Sequence, residues 1–200
     1  ADDLTERFES LIGKAAPEEA PLLWRSFAES LFAAGRFDQL AEVCRRALES
    51  LPPDRVGPFL ELQARTMLEE GRLSEALQFV QSHMVAGRIT NERAIAVLED
   101  VLHAQPASSI GHLMLGQAAA RANDMDRAID GYLGAVRLDE SLAGPVGEQI
   151  HKIASRPGTQ GKHLVRVAQF QLERGDPASA ADLFDKAVNI AAGLADRVLS

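Results

Sequence analysis

The chain has 200 residues, 46% of them apolar and only 5% aromatic, with a formal net charge of −8. That is enough apolar material for a folded core, while the acidic balance argues against a nucleic-acid or anionic-membrane surface, which needs a basic stripe. One cysteine, Cys44, excludes an intrachain disulfide and a multi-cysteine metal site.

No apolar run is long enough to span a bilayer, and the opening ADDLTERF carries charge where a leader would carry an apolar stretch. The compartment stays open between cytoplasm and periplasm. The alanine- and leucine-rich apolar set, without strand-like alternation, favours closely packed helices.

Taken in order, Leu4, Phe8, Leu11 and Ile12 stand at helical spacing and predict a helix over 3–15, closed by Pro17. Residues 22–34 predict a helix with Trp24, Phe27, Ala28 and Leu31 inward, stopped by Gly35. Residues 37–51 predict the next, with Leu40, Cys44, Ala47 and Leu48 inward, before Pro52-Pro53. A second pair spans 58–70 and 73–86, joined by Gly71-Arg72-Leu73 as Gly35-Arg36-Phe37 joins the first. Residues 90–104 predict a single helix. Two helices then follow within 111–139 around the turn Ala122-Asn123-Asp124, then one at 142–155 and a pair at 162–174 and 177–190 around Gly175.

The best-preserved stretch is 111–139. His112-x2-Leu115-Gly116-x2-Ala119, then Ala128-x3-Tyr132, then Glu140, follow the spacing W-x2-L-G-x2-Y, A-x3-F, P. The stretch resembles the tetratricopeptide repeat. The pair at 21–52 fits the same pattern through Trp24, Phe27-Ala28, Leu31, Leu40, Cys44, Ala47 and Pro52. The resemblance implies an all-α fold, a right-handed solenoid of antiparallel helix pairs. It is read as one domain over 1–200 with repeats at 21–52, 57–88, 109–140 and 161–192.

Turn residues Gly35, Gly71, Asn123 and Gly175 are 36, 52 and 52 residues apart, whereas a plain repeat is about 34. Each long interval therefore holds one surplus helix, at 90–104 and 142–155. A surplus helix must break the alternation of inner and outer helices, tuck against the stack, or fill the groove. Alternatively, 90–104 is half of a degenerate repeat. The first helix lies 36 residues before the 37–51 pattern and reads as a half repeat, and Leu194, Val198 and Leu199 have no polar helix after them. Solenoids need capped ends, so a longer array, or an assembly covering both ends, is expected.

Candidate chemistry is thin. The five histidines include no H-x3-H or H-E-x2-H pair that would set two ligands on one helix face. Cys44, at an inward helical position, reads as a small hydrophobe. Gly158-Thr159-Gln160-Gly161-Lys162 lacks the glycine spacing, the following Ser or Thr, and the strand of a phosphate loop. Arg174-Gly175-Asp176 is a helix end and turn, and the carboxylate pairs fall at helix ends. No cofactor, metal or catalytic group is expected.

The resemblance implies that the first helix of each pair lines a concave, partner-binding groove. The residues it would present are Arg25, Glu29 and Phe32, beside Leu22; Arg65 and Leu68, beside Glu61 and Glu69; Leu113, Gln117 and Arg121, beside Ile110; and Val165 and Gln169, beside Lys162 and Leu172. Arg25–Glu29 and Glu61–Arg65 are i, i+4 pairs able to neutralise each other, so a mixed groove suits an amphipathic partner helix. The expected function is a non-catalytic scaffold binding a protein or peptide partner. The alternatives are an accessory region of a larger enzyme and a module that self-associates through its uncapped ends.

Overall fold

The structure is a computed structural model and describes residues 7–8, 10–16, 18–156 and 159–199, with side chains to residue 192. Leu4, Pro17, Gly158 and the side chains of Leu194, Val198 and Leu199, all used in the sequence reading, lie outside the described set. The described residues contain helices and no strand; the fold is an all-α helical repeat. None of their helices is long and apolar enough to cross a membrane. The chain divides into two compact units, Ala1–Pro106 and Ala107–Ser200.

Unit 1 has helical backbone at residues 7–8 and 10–12, then α1 (Ala20–Ala33), α2 (Phe37–Ser50), α3 (Gly57–Glu69), α4 (Leu73–Val85) and α5 (Asn91–Ala104). Proline opens α1 and α3, where its missing N–H costs nothing. Gly35, Gly71 and Gly87 take positive φ of 65°, 74° and 65°. One residue past each, a backbone N–H bonds back to the fifth carbonyl before it: Arg36 to Leu31, Arg72 to Met67 and Arg88 to His83, at 2.8–2.9 Å. That is the Schellman closure, in which a left-handed glycine satisfies the orphan carbonyls and turns the chain back.

The consequence is an antiparallel stack. The α1/α2 pair packs on α3, which pairs with α4, and α5 packs on both α3 and α4. The core gathers Trp24, Ala28, Leu31, Leu40, Val43, Cys44, Ala47, Phe59 and Leu62, with Phe8 and Ile12 laid against it. Phe8 stacks on Phe27 at 4.0 Å and meets Trp24 edge-on at 5.7 Å.

Unit 2 contains α6 (Ser109–Arg121), α7 (Met125–Leu138), α8 (Ala143–Ala154), α9 (Gly161–Glu173) and α10 (Pro177–Leu199). Asn123 (φ 63°) and Gly175 (φ 77°) close turns of the same kind, Asp124 N–H to Ala119 and Asp176 N–H to Gln171, each at 2.9 Å. Asp124 then caps α7 by accepting the Arg127 N–H at 3.1 Å, and Ser108 caps α6 through Gly111 at 3.0 Å.

Glycines let α6 and α7 approach closely. A Cβ on Gly116 would stand 2.8 Å from the Tyr132 ring, and one on Gly131 would stand 2.7 Å from Gly116 Cα. Helix α8 packs on α7, α9 packs on α7 and α8, and α10 pairs with α9. The last helix runs to Leu199, past the expected 190.

Candidate partner-binding face

In unit 1, stacking of α3 on α1 and of α5 on α3 sets their outward faces side by side. Arg25 and Glu29 of α1, Phe32 one turn further, and Arg65 of α3 line one cavity of about 280 Å³, together with Leu62 and Arg93. These four are residues the sequence reading selected. Leu68, a further expected residue, is half-buried on α3 and outside that lining.

The charges form a ladder. Arg25 donates from Nε to Glu29 at 2.7 Å. Glu61, whose side chain is only 15% exposed, accepts from Arg93 Nη1 at 2.5 Å and lies 3.3 Å from Arg65. Arg65 Nε lies 3.0 Å from Asp100 of α5. Three arginines thus face three carboxylates, leaving a neutral floor with Phe32 and Leu62 between the pairs. Each partly exposed pair contributes at most about 1 kcal/mol. Their larger effect is to fix long side chains and to tie α5 to α3.

Arg93 and Asp100 were missed in the sequence reading because they stand on the helix treated as surplus. The signal available was their seven-residue spacing, which puts both on one helical face, and the 34-residue interval from the start of α3 at Gly57 to that of α5 at Asn91.

In unit 2, Leu113 and Gln117 are half-buried and Arg121 exposed on α6, while Val165 is half-buried and Gln169 exposed on α9. The two helices each pack on α7. Cavities of about 300 and 360 Å³ open elsewhere, over Val136, Ile150 and Phe170 and over Ile150, Val167 and Leu183.

The titratable groups of unit 2 act structurally. His163 is buried and accepts the Gln160 N–H on Nδ1 at 3.3 Å, with Nε2 3.2 Å from Asp126. Lys162, first among its neighbours, holds the Asp126 carboxyl below its usual range, and Arg166 bridges Asp126 and Asp130. The set pins α9 to α7. In unit 1 Cys44 is fully buried and its thiol is pushed up to about 12 by that burial, which makes it core.

An all-α stack of antiparallel helix pairs is the architecture of a helical repeat. Residues 77–143 match the family model described as Tetratricopeptide repeat, and over that stretch the chain is similar to that family.

Among solved structures, the chain is similar to TTC0263, a thermophilic TPR protein in Thermus thermophilus, at 21% identity over 90% of this chain and 96% of that one, with a TM-score of 0.29. It is similar to YrrB, described as a TPR protein with an unusual peptide-binding site, at 12% identity over 92% and 91%, TM-score 0.36. MamA matches at 13% identity over 84% and 96%, TM-score 0.30. No curated protein matches the sequence.

Proposed function

We propose that residues 1–200 serve as one repeat domain that binds a peptide or amphipathic helix of a protein partner, with the α1–α3–α5 face of unit 1 as its principal contact. The observation that carries this reading is the shared cavity of Arg25, Glu29, Phe32 and Arg65, in which balanced ion pairs leave apolar surface between them. A segment with an apolar stripe and flanking charges matches such a floor. On the same reading Leu113, Gln117 and Arg121 of α6 and Val165 and Gln169 of α9 are partner contacts of unit 2.

A peptide array tests it, probed with the wild-type chain and with Glu29→Arg. Glu29 is half solvent-exposed, so the change reverses charge in the cavity without touching the core. Peptides retained by the wild type are expected to weaken about tenfold in the variant, with unchanged thermal midpoint. Equal retention by both proteins, or a blank array for the wild type, refutes the site.

A further inference from the structure

Adjoining that face, a second cleft of unit 1 opens at the N-terminal ends of α1, α3 and α5. Its volume is about 350 Å³, and its charged lining is Arg25, Arg55, Arg88 and Arg93 against the single carboxylate of Asp54. In a chain of net charge −8, the lining is locally positive even though Arg25 and Arg93 are paired at its edge with Glu29 and Glu61, because Arg55 and Arg88 face only Asp54.

The arginines are only partly engaged. Arg25 gives Nε to Glu29 and Arg93 gives Nη1 to Glu61, in both cases toward the neighbouring cavity, and among the described residues the other guanidinium nitrogens of each fork take no hydrogen bond. Arg55 stands 3.4 Å from Asp54 with most of its side chain in solvent. Arg88 is exposed and, among the described residues, makes no ion pair. The backbone adds to the same sign at α3, which begins with neither a capping side chain nor an acidic residue in its first turn, so nothing within that helix offsets its positive end. Leu22 and Phe59 complete the lining. Glu19 and Glu92, next to the starts of α1 and α5, do not line it.

We propose that this cleft binds an acidic segment of a polypeptide, whose carboxylates take the open forks of Arg25, Arg55, Arg88 and Arg93. Guanidinium forks match carboxylates bidentately, and a convergent positive cleft in an acidic protein repels basic partners here while attracting acidic ones. The proposal rests on the reading of unit 1 as a partner-binding face only in taking the ligand to be a polypeptide.

Fluorescein-labelled octaglutamate, titrated into the full chain by fluorescence anisotropy, is the test. Saturable binding is expected, weakening as salt screens the charges. The double reversal Arg55→Glu/Arg88→Glu is expected to weaken it at least about tenfold. Lys152→Glu/Lys186→Glu, an equal reversal on two exposed lysines of unit 2, leaves it unchanged. All three proteins are expected to share one thermal midpoint.

No binding to the wild type, binding unaffected by the arginine reversals, or equal loss in the lysine variant each overturns the proposal. So does displacement by inorganic phosphate at the same concentration as by unlabelled octaglutamate, which would make the cleft a small-anion site. If octaglutamate fails while the array loses its peptides with Glu29→Arg, the partner face stands and the acidic ligand falls. If octaglutamate binds through the arginines while the array is blank, the reverse holds.

Discussion

Gly131 is where the packing of unit 2 is least forgiving. A Cβ there would lie 2.7 Å from Gly116 Cα and 2.7 Å from the His112 carbonyl oxygen, and closest of all to the Gly116 nitrogen. All three are backbone atoms, so no side chain can swing aside, and α7 must move off α6. A gap of on the order of 1 Å forfeits about a quarter to a half of the dispersion energy where it opens. Overpacking of this kind costs about 1–3 kcal/mol. With backbone on both sides the upper end applies, offset by about 1 kcal/mol from alanine's better helix propensity.

The net loss for Gly131→Ala is therefore about 2 kcal/mol. A unit the size of Ala107–Ser200 then loses roughly 8–16 °C of thermal midpoint. Gly147→Ala is the control: it lies inside α8, with nothing within 4 Å of its added Cβ, and should gain up to about 1 kcal/mol. Circular dichroism melts of the two variants decide the matter. If Gly131→Ala melts with the wild type, or the two glycines respond alike, the close approach of α6 and α7 is not what holds the pair.

Further outcomes follow from unit 1. Cys44 should resist a thiol reagent at pH 8 until the chain is unfolded, since its thiol titrates near 12; rapid labelling of the native protein would show that the α2 core is not closed. Hydrogen bonds from Arg45 and then Arg46 hold Glu42 at about 2, against 4.5 for the free group. A depressed carboxylate stabilises fully above its unfolded pKa, and that stability is lost as pH falls through the folded one. Urea melts of Glu42→Gln between pH 4.5 and 2 should therefore show a shallower acid loss than the wild type, and identical slopes would refute the pairing. Gly87 has φ +65° and open space around its Cα, so Gly87→Ala should cost about 1–2 kcal/mol from backbone strain alone. Gly87→Asn should cost less, a ranking that a denaturation series can read.

Much of the architecture was legible because helix pairs advertise themselves twice, by inward residues at helical spacing and by the residue that turns the chain. Trp24, Ala28 and Leu31 are buried as their spacing implies, and Gly35, Gly71, Asn123 and Gly175 all hold left-handed backbone. The end of α10 was not legible: Gly193 interrupts the apolar pattern and is costly in a helix, yet the helix continues to Leu199. At the candidate face, Arg25, Glu29, Phe32 and Arg65 could be selected because each sits on a helix with an assigned face. Arg93 and Asp100 could not, since their helix had none. Arg55 and Arg88 lie in connections, and only the convergence of three helix starts brings them to one cleft.

The spacing of helices and the spacing of turns convey different things about this chain. Alternate helices begin at Ala20, Gly57, Asn91, Met125 and Gly161, and at Phe37, Leu73, Ser109, Ala143 and Pro177, always 34 to 37 residues apart. The helix period is thus unbroken through the segments at 90–104 and 142–155. What changes is which helix the left-handed turn follows: α1 and α3, then α4 and α6, then α9. Gly87 divides the 52-residue interval between Gly71 and Asn123 into 16 and 36, so α4 closes one hairpin with α3 and opens another with α5. Its packing on both neighbours agrees, and the family match begins at residue 77, inside α4. An added helix and a shared helix are then the same physical event. A helix pair needs only one apolar face per partner, and α4, with Ala76, Leu77 and Val80 buried, serves two partners in turn without disturbing the period. The burden falls on α5, whose outward side must finish the face begun by α1 and α3. Arg93 and Asp100 do so by meeting the charges of Glu61 and Arg65.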